Sequence, residues 1–190
     1  TTALIIAAST IDGDLTVTSG NASGITDSGT VTVGGNLAVT TDANNGEINL
    51  GTLAVDGTVA LTTNGNGAAT VVNDAGLNFA ASTVGGNLAA TATTGNMTDS
   101  GALAISGTTE LTTSANNATI TLNNTNAFTG AVTITTNDDS GNNASATIDG
   151  GTTALIIAAS TIDGDLTVTS GNASGITDSG TVTVGGNLAV

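Results

Sequence analysis

The residues in this 190-residue chain best suited to chemistry are its carboxylates. Three closely spaced pairs stand out, and they are Asp12 with Asp14, Asp138 with Asp139, and Asp163 with Asp165. Paired carboxylates can act as the acid and base of a glycosidase, and their oxygens are suitable ligands for Ca²⁺. However, the pair around Gly13 recurs around Gly164, and the chain has no Trp, Tyr or Arg to bind a sugar. We therefore expect no enzymatic activity, no catalytic residue and no cofactor or dedicated metal site, beyond weak calcium binding.

The absence of whole residue types excludes most other functions. The chain contains no Lys, Arg, His, Cys or Pro, and its formal charge is −15. Without cations it lacks the electrostatic footprint that nucleic acids and anionic membrane surfaces require. Without Cys and His it forms no disulfide, no Ser-His-Asp triad and no thiolate or imidazole zinc site. No apolar run approaches the roughly 18 residues of a membrane span, so we expect neither nucleic-acid binding nor membrane insertion.

An internal duplication dominates the sequence. Residues 1–39 recur without a single change as residues 152–190. Positions with buried and with exposed character match alike, which indicates a tandem duplication or one period of a longer array. We interpret residues 1–190 as one continuous domain with a repeat unit of 151 residues. Since both ends lie inside the same unit, we expect the polypeptide to continue or its copies to stack head to tail.

A shorter period lies within the long one and is marked by glycines. Glycines that recur at nearly regular intervals are called anchors here, and they are Gly13, Gly35, Gly57, Gly86, Gly107, Gly130, Gly164 and Gly186. Mostly aliphatic residues follow two and four positions later, as at Leu15 and Val17, and an apolar residue precedes each anchor by two positions. This period of two predicts strands with one buried face, joined through a glycine corner.

The repeated strand–corner–strand pattern predicts an all-β fold, a parallel β-solenoid with coils of about 22 residues. Such a unit cannot bury its own apolar face, so the coils must stack. The two longer intervals, from Gly57 to Gly86 and from Gly130 to Gly164, are interpreted as longer coils with loops near 64–70 and 136–147. Six coils per repeat would then span roughly 29 Å at the spacing of parallel strands. A hairpin-based sandwich is the competing all-β fold, and the fixed return of residue types argues against it.

Several columns of this solenoid can be predicted. A threonine stands five positions after each of the first seven anchors, and these are Thr18, Thr40, Thr62, Thr91, Thr112, Thr135 and Thr169. If the coils stack, these threonines would form a ladder of β-branched side chains. The functional alternative is an ice-binding plane of paired threonine columns, although Glu110 interrupts the neighbouring column, three positions after the anchor. Asp12 and Asp56 alternate with Gly34 at the position before the anchor, which separates like charges. The Thr-Asp-Ser-Gly segments, such as Thr26–Gly29, predict corners in which the Asp forms the turn.

One apolar residue is expected to point outward. Alignment of residues 3–8 with residues 76–81 places Leu4 and Ile6 inward and Ile5 outward. Ile156, the copy of Ile5 in the duplicated segment, should point outward as well. Two explanations stay open at this stage: an adjacent long loop covers the side chain, or neighbouring solenoids contact each other laterally there.

The segments GNASGITDSGTVTVGGNLAVTT and GNMTDSGALAISGTTELTT resemble tandem repeats of large bacterial secreted exoproteins of the filamentous-haemagglutinin and adhesin-like group. The resemblance covers most of the chain. It implies a right-handed parallel β-helix, export to the cell exterior and a structural or adhesive role. We therefore expect a structural, extracellular segment of a cell-surface or matrix fibre, including a biofilm matrix, with itself as partner through end-to-end stacking and lateral bundling. The alternative is an adhesin stalk that contacts glycans or other cells.

Overall fold

The structure is a computed structural model that describes residues 2–139, 141 and 143–190. These residues form 25 β-strands and no helix, and accordingly none of them belongs to a helix that could span a membrane. All strand pairings are parallel. The predicted all-β, parallel β-solenoid is confirmed.

The strands follow one another around nine stacked coils. Coils 1 to 3 contain β1 (Leu4–Ile6), β2 (Ser9–Ile11), β3 (Leu15–Ser19), β4 (Ile25–Asp27), β5 (Val31–Val33), β6 (Leu37–Asn44), β7 (Ile48–Val55) and β8 (Thr58–Asn64). Coils 4 to 6 contain β9 (Ala69–Asn73), β10 (Leu77–Phe79), β11 (Ser82–Val84), β12 (Leu88–Ala92), β13 (Met97–Asp99), β14 (Leu103–Ile105), β15 (Thr109–Asn116), β16 (Ile120–Leu122) and β17 (Ala127–Phe128). Coils 7 to 9 contain β18 (Val132–Asn137), β19 (Ala146–Asp149), β20 (Leu155–Ile157), β21 (Ser160–Ile162), β22 (Leu166–Thr169), β23 (Ile176–Asp178), β24 (Val182–Val184) and β25 (Leu188–Ala189).

Each coil crosses two sheets. Sheet 1 has 13 strands and runs from β1 through β4, β7, β9, β12, β15, β18 and β20 to β23, and sheet 2 has 12 strands. Alternate residues of each strand point inward, because side chains in a strand alternate between its faces. The inward residues, mainly Val, Ile and Leu, form a single core cluster along the stack. Phe79 and Phe128, the two aromatic residues, are both fully buried in it.

The two halves of a coil differ in shape. One half, the long arm, is a single strand that follows a corner, such as β3, β6 or β8. The other half, the bent arm, is usually two three-residue strands separated by a bend, such as β4 and β5. Long and bent arms alternate along the chain except twice, where β9 follows β8 and β19 follows β18. At each of these points the arms exchange sheets. The long arm lies in sheet 2 for coils 1 to 3 and in sheet 1 for coils 4 to 6, and coil 7 has a long arm in each sheet.

These exchanges correct the prediction of two longer coils. The intervals from Gly57 to Gly86 and from Gly130 to Gly164 are not single coils with long loops, since each contains one additional long arm, β9 or β19. A repeat therefore spans seven coils, from β1 to its copy β20, rather than six. At the spacing of parallel strands the period is roughly 34 Å. The loop after Asn137 does lengthen its coil, because it lies between Ile120 and its partner in the next coil, Ala146.

The sequence carried a weak signal for the two additional arms. Gly67 occupies an anchor position, with Ala69 and Val71 buried two and four residues later. Ala144 occupies the other, with Ala146 and Ile148 buried. Small alanines replace the larger aliphatic residues at these sites, and Ala144 replaces the glycine itself, so the pattern is less visible in the sequence.

Glycine recurs at the anchors because the coils approach each other closely at these corners. A Cβ on Gly57 would lie 2.4 Å from the carbonyl oxygen of Gly35, and one on Gly130 would lie 2.4 Å from that of Gly107. The backbone N–H of Gly57 also donates to the Gly35 oxygen at 3.1 Å. A side chain would separate the two backbones and break this hydrogen bond, so the anchor column is fixed by sterics between coils.

Buried polar side chains replace backbone hydrogen bonds where a strand bends. Asn73 is buried; its Oδ1 accepts the N–H of Val55 at 2.8 Å, and its Nδ2 donates to the Val55 and Gly76 oxygens. The Thr136 hydroxyl donates to the Ala144 oxygen at 2.6 Å and accepts the N–H of Asp163 at 3.1 Å. These side chains satisfy groups that would otherwise be buried without partners.

Thr109 is an exception to this pairing, and it provides a stability prediction. It is 1% exposed, lies in the inward column between Leu88 and Val132, and its hydroxyl has no hydrogen-bond partner. Because a buried unpaired hydroxyl is destabilising, Thr109→Val should raise the free energy of unfolding by about 1 kcal/mol. Urea unfolding followed by far-UV circular dichroism measures the change. The matched variant Thr136→Val loses two hydrogen bonds and should destabilise; equal effects of the two variants would contradict this explanation.

Candidate interaction surfaces

The outer faces of both sheets carry threonine columns. On sheet 2, Thr18, Thr40, Thr62 and Thr83 stand opposite one another in successive coils. On sheet 1 the column continues through Thr91, Thr112, Thr135, Thr161 and Thr183. The predicted ladder exists, but as separate columns on two sheets, because the long arms exchange sheets. Thr169 lies outside both columns, since its partner in the preceding coil is Asp149.

The carboxylates are concentrated along one side of the stack. Eight of the 15 acids lie in the connections from sheet 1 to sheet 2, and these are Asp12, Asp14, Asp56, Asp74, Asp138, Asp139, Asp163 and Asp165. We call this side the acidic edge. The connections from sheet 2 back to sheet 1 contain a single acid, Glu47. The remaining acids lie on strands.

The aspartates of the Thr-Asp-Ser-Gly corners tie one coil to the next. The Asp27 carboxylate accepts the N–H groups of Gly51 and Thr52, at 3.2 and 2.7 Å, and the Thr52 hydroxyl at 2.8 Å. Asp99 accepts the N–H groups of Asn123 and Asn124 in the same way. The predicted role as formers of their own turn is therefore wrong, because the free N–H groups nearest these carboxylates belong to the following coil.

The aspartate pairs also take part in the stacking. Asp14 Oδ1 accepts the N–H of Asn36 at 2.7 Å, and its copy Asp165 accepts that of Asn187. Asp163 Oδ2 accepts the N–H of Asp138 at 2.9 Å, so the acids of coils 7 and 8 are neighbours. The predicted separation of acids holds for Asp12, Gly34 and Asp56 but fails here, where backbone N–H groups offset the like charges. Among the described residues, no group of three or more acids could hold a metal ion.

Ile5 and Ile156 point outward from sheet 1, as predicted. Ile5 lies in the first coil and is 57% exposed. Ile156 is half-buried between the inward residues Leu155 and Ile157, with Thr177 opposite it in the next coil. Lateral contact through this residue stays a prediction.

The duplication places identical residues in two environments. Leu4 is 41% exposed in coil 1, whereas its copy Leu155 is 1% exposed because coil 7 packs beneath it. At the other end, Leu188 is 58% exposed, whereas its copy Leu37 is buried beneath coil 3. Together with Ile176, Val182 and Val190, Leu188 lines an open apolar concavity on the last coil. Each end of the described stack therefore exposes groups that another coil covers in the interior.

The chain matches a known family model in three stretches. The family model described as repeats of unknown function (DUF5649) matches residues 1–50, 66–135 and 141–190. The chain belongs to this repeat family. The second and third matched stretches begin in the two connections where one long arm follows another, before β9 and β19. The first and second stretches end inside β7 and β18, so only the starts of the second and third stretches coincide with the exchanges of the arms.

Curated proteins and solved structures gave no match to the chain. The resemblance to filamentous haemagglutinins and adhesins consequently stays a prediction, whereas membership of a repeat family and the β-solenoid fold are established by the match and the structure.

Proposed function

We propose that the chain is a structural segment of an extracellular fibre, in which β-solenoid coils continue end to end along a cell-surface or matrix filament. The observation that carries this proposal is the return of the arms to their original sheets after two exchanges. Coil 8 has its bent arm in sheet 1 and its long arm in sheet 2, as coil 1 does. One repeat can therefore follow another without a break in either sheet or in the core.

The energetics of a solenoid favour a long stack. Each coil contacts only its neighbours, so stability grows with the number of interfaces between coils. A terminal coil leaves one side of its strands unpaired and its apolar residues exposed, as at Leu4 and Leu188. Covering these residues contributes ~25 cal/mol per Å² of apolar surface. Continuation of the stack, within one polypeptide or between copies, removes this exposed edge.

Electron microscopy and fibre diffraction of the native material from its source test the proposed function. Thin, unbranched fibres with a reflection at ~4.8 Å along the fibre axis and a repeat of about 34 Å are expected. Short discrete particles would overturn the fibre proposal and favour the adhesin stalk. Surface labelling of intact cells with an antibody to the chain tests the extracellular location, and labelling only after lysis would contradict it.

The acidic edge leads to a prediction about lateral association. Because the chain carries 15 acids and no cation, separate rods should repel each other at low salt. Millimolar calcium should bridge acidic edges weakly and raise light scattering several-fold, and a chelator should reverse the rise. The variant Asp12→Asn/Asp56→Asn/Asp74→Asn should lose most of this response.

The variant Asp42→Asn/Glu47→Gln/Glu110→Gln is the matched control, because it removes the same charge away from the acidic edge. It should retain the calcium response. Equal loss in both variants would show that net charge, rather than the edge, governs association.

A further inference from the structure

A long arm is followed in its sheet by a bent arm at two interfaces between coils, and at each of them the bent arm is one residue longer. Val59 and Thr62 of coil 3 are three positions apart, whereas their partners in coil 4, Phe79 and Thr83, are four positions apart. The same spacing, three positions against four, recurs between β18 of coil 7 and its partners β20 and β21. Because one arm carries an extra residue, the ladder of backbone hydrogen bonds is interrupted there.

A buried serine bridges the interruption in coil 4. Ser82 is 5% exposed; its hydroxyl oxygen accepts the N–H of Leu61 at 3.0 Å, and the hydroxyl donates to the Ala80 oxygen at 2.8 Å. Leu61 points inward from β8, and on a straight partner strand its N–H would reach the Ala80 oxygen directly. The pairing of β3 with β6 has this regular bond, in which Leu15 N–H donates to the Asn36 oxygen at 2.8 Å. The serine hydroxyl is therefore inserted into a ladder hydrogen bond that the bend has opened, and we call this pair of bonds the serine relay.

Coil 8 contains the same relay on the other sheet. Ser160 is also 5% exposed; its hydroxyl oxygen accepts the N–H of Ile134 at 3.0 Å, and the hydroxyl donates to the Ala158 oxygen at 2.9 Å. The long arm beneath it is β18 of sheet 1, whereas the long arm beneath Ser82 is β8 of sheet 2. The two bent arms share the tetrapeptide Ala-Ala-Ser-Thr and differ in the residues that flank it. Two long arms in different sheets thus receive a bent arm through identical bonds.

The next coil of each sheet has no serine at this position. The residue opposite Ser82 in coil 5 is Leu103, and sheet 1 has Val182 at the corresponding place in coil 9. Both arms bend at these interfaces, and Ser82 N–H donates directly to the Ala102 oxygen at 3.1 Å. The relay therefore belongs to the interface between a long and a bent arm, rather than to the bend itself.

The alanines before each serine are covered by a glycine of the following coil. A Cβ on Gly101 would lie 2.4 Å from the backbone N of Ala81, and one on Gly180 would lie 2.7 Å from that of Ala159. These glycines belong to the Thr-Asp-Ser-Gly segments, which follow an Ala-Ala-Ser-Thr segment by one coil at all three of its occurrences in the sequence. The two segments together form one unit, in which the first begins the bend and the second continues it.

From these contacts we propose that Ser82 and Ser160 are the residues that seat a bent arm on a long arm, and that they thereby fix the coils at which a sheet changes from long to bent arms. The relay makes this change possible because it leaves no buried N–H of the long arm without a partner. The position of an Ala-Ala-Ser-Thr segment then decides in which sheet the following long arms, with their outer threonines, can lie. This assignment concerns the order of the coils and does not depend on the fibre function.

Hydrogen exchange of single amides, measured by NMR on the whole chain, tests the relay. Ser82→Ala removes the acceptor of Leu61 N–H, so this amide should exchange about tenfold faster, as typical for one lost hydrogen bond. Ser160→Ala should act in the same way on Ile134. Both amides lie outside the duplicated segment, so each has a sequence context of its own.

Each variant is the matched control for the other. Ser82→Ala should leave the exchange of Ile134 unchanged, and Ser160→Ala should leave that of Leu61 unchanged, because the two relays lie in different coils and sheets. An unchanged rate at Leu61 in Ser82→Ala, or equal acceleration of all amides in coils 3 and 4, would overturn the relay.

A second measurement tests the register, and it is possible because the chain has no cysteine of its own. Thr62 and Thr83 are exposed and lie opposite each other across the interface, so Thr62→Cys/Thr83→Cys should form a disulfide. Adding Ser82→Ala should slow this reaction several-fold, because the relay no longer holds the bend. The control pair Thr40→Cys/Thr62→Cys joins two long arms and should keep its rate. If Ser82→Ala left the rate of the first pair unchanged, the assignment of the register to this serine would be wrong.

Discussion

Replacing Gly24 by alanine should lower the free energy of unfolding by about 3 kcal/mol, through backbone strain and overpacking together. Gly24 has a φ of +73°, a conformation that costs a residue with a Cβ roughly 1–2 kcal/mol. The added Cβ would also lie 1.9 Å from the carbonyl oxygen of Glu47 in the next coil. Since the obstacle is backbone, relief requires the two coils to separate, which weakens the hydrogen bond from Ile25 N–H to the same oxygen.

The copy of this glycine supplies the control for the steric contribution. Gly175 has a φ of +68°, and a Cβ built on it would meet no atom within 4 Å. Gly175→Ala should therefore lower the free energy of unfolding only through the strain of the positive φ, by ~1 kcal/mol. Urea unfolding followed by circular dichroism compares the two variants; fluorescence is unsuitable because the chain has no Trp or Tyr. Equal losses would show that the contact between coils contributes nothing.

The second large effect is expected from the two copies of one leucine. Leu155→Ala should cost about 2–5 kcal/mol, as typical for a fully buried leucine, because the side chain is 1% exposed between coils 7 and 9. Leu4→Ala should cost less than about 1 kcal/mol, since Leu4 is 41% exposed and lies in a terminal coil that contacts only one neighbour. The same chemical change thus isolates the contribution of the covering coil.

Chemical denaturation gives both values, and hydrogen exchange locates them. Loss of protection in Leu155→Ala should extend through β20 and the neighbouring β18 and β23, whereas Leu4→Ala should affect β1 and β4 only. If Leu4→Ala were as destabilising as Leu155→Ala, the first coil would have to be covered in solution. That outcome would itself support association of end coils.

The class of fold can be predicted from the residue pattern. Alternation of aliphatic and polar residues around the anchor glycines specifies strands and their buried faces, because side chains alternate at every residue of a strand. The regular return of this unit specifies stacked coils, since no such unit can bury its face alone. The outward position of Ile5 and Ile156 followed from the same alternation. The absence of cations and the identity of residues 1–39 with 152–190 can likewise be seen without a structure.

The roles of the acids could not be predicted from the sequence. Asp27 lies in a segment typical of a local turn, and its carboxylate instead holds Gly51 and Thr52 of the next coil. A local rule considers only neighbours in sequence, whereas in a solenoid the nearest free N–H groups lie a full coil further along the chain. For the same reason, the concentration of eight acids on one edge appears only once every connection is assigned to a side.

The register of the coils, by contrast, becomes visible only in the folded chain. Gly57 and Gly86 begin similar strands, and the sequence treats them as successive members of one column. Hydrogen bonding instead pairs β8 with β10 and β11, and β12 with β9, so the two similar strands lie in different sheets. The physical reason is that a strand is recognised by its alternation, which is the same on both sides of the core. Which side it occupies depends on the number of half-turns before it. Between these two glycines an additional arm starts at Gly67 and changes that number, and the small Ala69 in place of a larger aliphatic residue makes this arm hard to recognise in the sequence.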